Sequence, residues 1–97
     1  GPERAAASAP LFLDGLFSLR DLPVVTDIRG YGMLGAINLR PASQPGQRGY
    51  DVFRKLYARG LMVRLTGDSI LLAPPLVASR EQIQEITGRL GEVLAAV

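Results

Sequence analysis

Arg64 stands in the stretch VRLTGDSILLAPPL, Val63 to Leu76. It is a permanent cation at the end of an apolar run, ahead of a Thr-Gly-Asp turn and a second apolar run. Its guanidinium is a planar fork that matches the two oxygens of a carboxylate. A charge-assisted pair of that kind contributes about 1.5–3 kcal/mol, enough to sort acidic from neutral ligands by about tenfold or more. Three fates are open to this side chain: a carboxylate brought by a ligand, Asp68 across the turn, or solvent at a strand edge. Arg29 also closes a strand, just before Gly30-Tyr31-Gly32. Between ligand arginine and internal brace, the brace is the better reading. The glycines beside it lack the G-x-G-x-x-G spacing of a phosphate loop and open no helix. They read instead as room for a bulge or a close backbone approach.

The remaining residues offer less. There is no histidine, which removes the commonest general base and metal ligand, and no cysteine, which removes thiolate chemistry and disulfides. Lys55 is the sole lysine and sits between Arg54 and Leu56 on a short helix. A Schiff-base lysine needs a desolvated pocket, so Lys55 reads as solvated. Asp14 with Asp21, and Glu81 with Glu85, read as helix surface charge, Glu81 suiting the positive end of a helix dipole. No acid–base pair and no metal cluster emerges. No catalytic, cofactor-binding or metal-binding residue is assigned, and the chain is not a complete enzyme on its own residues.

The elements that must position Arg64 follow from pattern. Glu3 to Leu22 has Leu13, Leu16, Phe17 and Arg20 at helical spacing, with Pro10 and Gly15 as weak points and Leu22-Pro23 as the stop. Val24 to Arg29 and Met33 to Leu39 read as strands, with Gly35 and Ala36 leaving room for something packed close. Pro41 to Gly49 has loop composition. Tyr50 to Arg59 reads as a short amphipathic helix with Tyr50, Phe53, Leu56 and Tyr57 on one side and Gly60 as its left-handed stop. Leu61 to Leu65 and Ser69 to Ala73 are strands joined by Thr66-Gly67-Asp68. Ser79 and Gln82 form a capping box that opens a last helix with Ile83, Ile86, Leu90, Val93, Leu94 and Val97 as its apolar stripe. Helices between paired strands predict an α+β fold: a small, mostly antiparallel four-stranded sheet with helices packed on one face.

Composition bounds the rest. Ninety-seven residues fit one domain, and 47% hydrophobic with 21% charged residues argues against disorder. A net charge of +2, with no basic run and no aromatics interleaved with arginines, argues against a nucleic-acid partner. No apolar run approaches membrane-spanning length and no signal peptide is visible, so no membrane partner is expected. The lack of cysteine suits a reducing compartment, and a cytoplasmic location is expected. Gly1-Pro2 reads as the scar of a protease cleavage, leaving 3–97 as the folded domain.

VTDIRGYGMLGAINL, then GYDVFRKLYARGLMVRLTGDSILLAPPL, then SREQIQEITGRLGEVL together resemble the C-terminal small domain of class III, fold type I aminotransferases. The pattern is most similar to the ω-amino acid (β-alanine):pyruvate transaminases and runs from Glu3 to Val97. The ordered set carries the likeness, above all GLMVRLTGD followed by PPL. The resemblance implies that Arg64 binds the substrate carboxylate and swings away when a carboxyl-free amine or a bulky group enters. It implies a parent that uses pyridoxal 5'-phosphate to move an amino group from an ω-amino acid or amine to pyruvate. The aldimine lysine, the pyridinium aspartate and the phosphate-binding groups of that family match nothing in this sequence. A large pyridoxal-binding domain and a second subunit are then the expected partners, with amino and keto acids as ligands. The isolated chain is expected to be inactive, to bind no cofactor and to self-associate through the face a large domain would cover. The alternative is a stand-alone α+β regulatory module that senses a small carboxylic acid through Arg64 or Arg29.

Overall fold

Two tight hairpins define the sheet in the computed structural model, which describes the backbone of residues 2–97 and the side chains of residues 7–97. β1 (Val25–Tyr31) and β2 (Leu34–Leu39) are joined through Gly32-Met33; β3 (Arg64–Thr66) and β4 (Ser69–Leu72) are joined through Gly67-Asp68. Gly32 and Gly67 adopt φ of 59° and 58° at the first loop position. A two-residue loop that follows the right-handed strand twist needs positive φ there, and glycine supplies it without a Cβ clash. β2 pairs with β4, so the sheet order is β1-β2-β4-β3 and every pairing is antiparallel.

All three helices, α1 (Pro2–Phe17), α2 (Gln47–Ala58) and α3 (Arg80–Ala95), lie on one face of this sheet. Strand alternation decides which side chains meet them. Ile28, Ile37, Ile70 and Leu65 point toward the helices, and so do the hydrogens of Gly30 and Gly35. A Cβ at Gly30 would lie 2.7 Å from Leu13, and one at Gly35 would lie 2.7 Å from Leu16. The paired glycines of β1 and β2 therefore let α1 settle directly on the backbone. Phe12 and Leu16 of α1, Val52 and Leu56 of α2, and Ile83, Leu90 and Leu94 of α3 are fully buried against Ile37 and Ile70. This is the α+β arrangement, with helices on one face, that the sequence predicts.

The capping box at Ser79 is present in full. Ser79 Oγ accepts from the Gln82 amide at 3.1 Å, and Gln82 Oε1 accepts from the Ser79 amide at 2.7 Å. Ser79→Ala removes one acceptor and leaves an orphan amide. A loss of about 0.5–2 kcal/mol in urea unfolding is expected; an unchanged midpoint would show that water replaces the cap.

Several boundaries differ from expectation. α1 stops at Phe17, not Leu22, because Ser18 Oγ donates to Gly15 O at 2.6 Å and Arg20 Nη1 donates to Phe17 O at 2.8 Å. These bonds take up carbonyls that a continuing helix would use, and short i→i+3 turns carry the chain to β1. α2 starts at Gln47, three residues into the expected loop. Its buried side is Gly49, Val52 and Leu56, whereas Tyr50 and Tyr57 are 58% and 59% exposed. The expected stripe is thus only half buried: Leu56 and, in part, Phe53 pack on the core beside Gly49 and Val52, while both tyrosines face solvent. β3 is only three residues long. Leu61 and Val63 alternate buried with exposed Met62, as a strand would, but no ladder forms along them. α1 takes in Pro2, and Gly1, the other half of the expected scar, lies outside the described residues.

Candidate functional site

The face of the sheet away from the helices carries the polar and half-apolar residues of each strand. The register aligns Arg64, Leu71, Ala36 and Arg29 as one row across β3, β4, β2 and β1. The next row aligns Thr66, Ser69, Asn38 and Asp27. Both sequence-selected arginines therefore share one face, at opposite edges of the sheet.

Their surroundings differ. Arg29 donates from Nη1 to Asp27 Oδ2 at 2.8 Å and from Nη2 to Asn38 Oδ1 at 3.3 Å. Ser69 Oγ donates to the same Asn38 oxygen. Arg29 is thus tied into a polar strip across β1, β2 and β4, which agrees with a bracing role. The Arg64 side chain is exposed and makes no hydrogen bond or ion pair with any described residue. It borders a shallow cavity of about 180 Å³ whose other walls include Leu34, Met62, Leu71 and Ala73. Leu34, Met62 and the nearby Tyr31 are 56%, 69% and 87% exposed. An unpaired cation next to uncovered apolar surface suits an amphipathic acid, with the fork matching a carboxylate and the apolar wall a carbon chain.

Asp68 does not neutralise Arg64. Its Oδ2 accepts from the Gly46 amide at 3.1 Å and its Oδ1 from the Gly49 amide at 2.9 Å. Gly46 precedes α2 and has no side chain to cap it, so Asp68 supplies the cap from the far hairpin. The two residues leave the hairpin toward opposite sides: Arg64 belongs to the open face and Asp68 reaches the helix layer. Sequence reasoning gave Asp68 turn chemistry or a pairing with Arg64 across the turn, and the second does not occur. A signal was present in Gly46 and Gly49, a helix start with no capping side chain of its own.

Lys55 Nζ pairs with Asp51 Oδ2 at 2.9 Å, with 51% of the lysine side chain exposed. It lies on the solvent side of α2. Among the described residues, no group of His, Cys, Asp and Glu could hold a metal ion. No helix of the described residues is long and apolar enough to cross a membrane.

This fold and this motif order match a known family. The profile of the aminotransferase class-III family covers residues 2–94. The chain belongs to the class III aminotransferases. It is 35% identical to an omega-aminotransferase of Caulobacter vibrioides over 97% of its own length and 22% of that relative's. It is 32% identical to the beta-alanine–pyruvate aminotransferase of Pseudomonas aeruginosa over 98% of its length and 21% of that protein's. The omega transaminase of Pseudomonas jessenii, in a thermostable six-fold mutant form, superposes with a TM-score of 0.89 at 28% identity, covering 97% of this chain and 22% of that one. The chain thus spans about a fifth of the length of the curated relatives it matches. Class III aminotransferases are in general pyridoxal-phosphate enzymes. The described residues do not fit that cofactor, since the single lysine is half exposed, ion-paired with Asp51 and borders only open surface hollows rather than a desolvated pocket.

Proposed function

We propose that this chain is the C-terminal small domain, residues 3–97, of a class III transaminase that moves an amino group from an ω-amino acid or amine to pyruvate. Within it Arg64 holds the substrate carboxylate. The observation that carries this reading is that the Arg64 side chain is exposed and unpaired among the described residues while the acid nearest in sequence, Asp68, is bound elsewhere. The relatives named for omega-amino acids and for β-alanine with pyruvate supply the substrate class. All these substrates but a simple amine carry a carboxylate.

The large domain and the partner subunit supply the cofactor site, and the open sheet face with Tyr31, Leu34 and Met62 turns toward them. This chain's residues bind and orient: the guanidinium fixes one end of the acid, and the apolar wall of Leu34 and Leu71 excludes water around its chain. With no such partner the 97-residue chain has no transaminase activity, and its uncovered apolar face drives self-association. Arg64 is long, stands at the end of a three-residue edge strand and has no internal tie, so it can withdraw when a substrate without a carboxylate occupies the same space.

The test is the amine-donor half-reaction of the full-length enzyme. Arg64→Ala is expected to slow reaction with β-alanine selectively and to spare a carboxyl-free amine. Equal losses on both would remove Arg64 from carboxylate recognition.

A further inference from the structure

Asp68 holds three neighbours in place at once. Its carboxylate bridges the Gly46 and Gly49 amides at 3.1 and 2.9 Å, and its carbonyl accepts from the Leu39 amide at 2.8 Å. The turn is therefore tied both to the start of α2 and to the end of β2. Gly49 makes the tie possible: a Cβ there would lie 2.2 Å from Gly67 O and 3.0 Å from Asp68 Cα. The first turn of α2 thus rests directly on the backbone of the hairpin loop. β3, which carries Arg64, is an edge strand of three residues with β4 as its only strand neighbour. The loop clamp is its second anchor.

From this we infer that Asp68 is a positioning residue for Arg64, acting in two ways. It fixes the loop end of β3, two residues along this short strand from Arg64, and so the course of the strand that carries the guanidinium. It also keeps the carboxylate nearest in sequence engaged with backbone amides on the helix side, so that Arg64 stays available to an incoming acid. The inference rests on Arg64 being the carboxylate ligand. Asp68 itself touches no substrate.

The experiment uses the full-length holoenzyme in the amine-donor half-reaction, comparing β-alanine with a carboxyl-free amine. The variants are Asp68→Ala, Asp68→Asn and Arg64→Ala, each checked by thermal melting. Asp68→Ala is expected to raise KM for β-alanine about five- to tenfold, with kcat and the constants for the carboxyl-free amine nearly unchanged. Asp68→Asn keeps the shape but offers one acceptor oxygen to two amides. Its KM should fall between those of Asp68→Ala and wild type, at least about twofold above the latter. A purely structural role would instead lower activity on both amines together. Equal losses on both, or a wild-type KM in Asp68→Asn, overturn the inference even if Asp68→Ala fails to fold. If Arg64→Ala loses β-alanine selectively and Asp68→Ala does not, only the positioning role fails. If Arg64→Ala shows no selectivity, the carboxylate reading fails and the positioning role falls with it.

Discussion

Phe12→Ala is expected to lower the unfolding free energy of this chain by about 3–5 kcal/mol. Phe12 has no exposed surface and lies in the core formed by α1 and the sheet. Its ring edge already presses the backbone of β2, with Cζ 3.2 Å from where a Cβ of Gly35 would lie. The side chains around it are branched aliphatics on rigid elements, and Gly35 has nothing with which to fill the space. Truncation therefore loses both the transfer energy of the ring and the contacts that lined it. Domains of this size are stable by about 5–15 kcal/mol, so such a loss removes a large share of the total. Urea unfolding followed by circular dichroism measures it. A loss below about 1 kcal/mol would mean that α1 sinks onto the glycines of β1 and β2 and closes the cavity.

Arg64→Ala is the second large effect, and it acts on function rather than on folding. Arg64 is exposed and has no partner among the described residues, so its removal leaves no buried charge behind. Stability should change by no more than about 0.5 kcal/mol. The lost term is a charge-assisted contact of about 1.5–3 kcal/mol, which converts to about a 10- to 100-fold fall in kcat/KM for a carboxylate substrate. Arg64→Lys should recover part of this, because an ammonium keeps the charge but not the two-pronged geometry.

Much of the frame that presents Arg64 was legible from local signals. Gly67 announces the turn between β3 and β4, the Ser79/Gln82 pair announces the start of α3, and Gly30 and Gly35 announce a close approach that α1 fills, whereas Gly32, read as room for a bulge or a close approach, is the positive-φ residue of the first hairpin loop. What escaped the periodic pattern has a specific cause in each case, local side-chain bonds at the end of α1 and tertiary packing in the other two. Leu19 and Leu22 continue the helical spacing of α1, yet Ser18 and Arg20 side chains take its last carbonyls. Leu61 to Val63 alternates like a strand, but the ladder stops at Arg64–Leu71 and β4 ends at Leu72, so Leu61 and Met62 have no strand opposite them. Tyr50 and Tyr57 look like an apolar stripe, but α2 is turned by Gly49, which must face the hairpin loop.

The candidate site divides in the same way. The oddity of Arg64 was visible in its own strand, and the carboxylate-binding role proposed for it came from the resemblance carried by the motif order. The fate of Asp68 was not visible, because its partners Gly46 and Gly49 lie 22 and 19 residues away. Only the fold separates an arginine paired across its own turn from one left open to a ligand.

The most direct measurement is the inhibition constant of propionate, a carboxylate with no amine to react, on the full-length enzyme with and without Arg64. Competitive inhibition at least about tenfold weaker in Arg64→Ala is the predicted result. An inhibition constant unchanged from wild type would contradict the assignment of this guanidinium to the substrate's carboxylate.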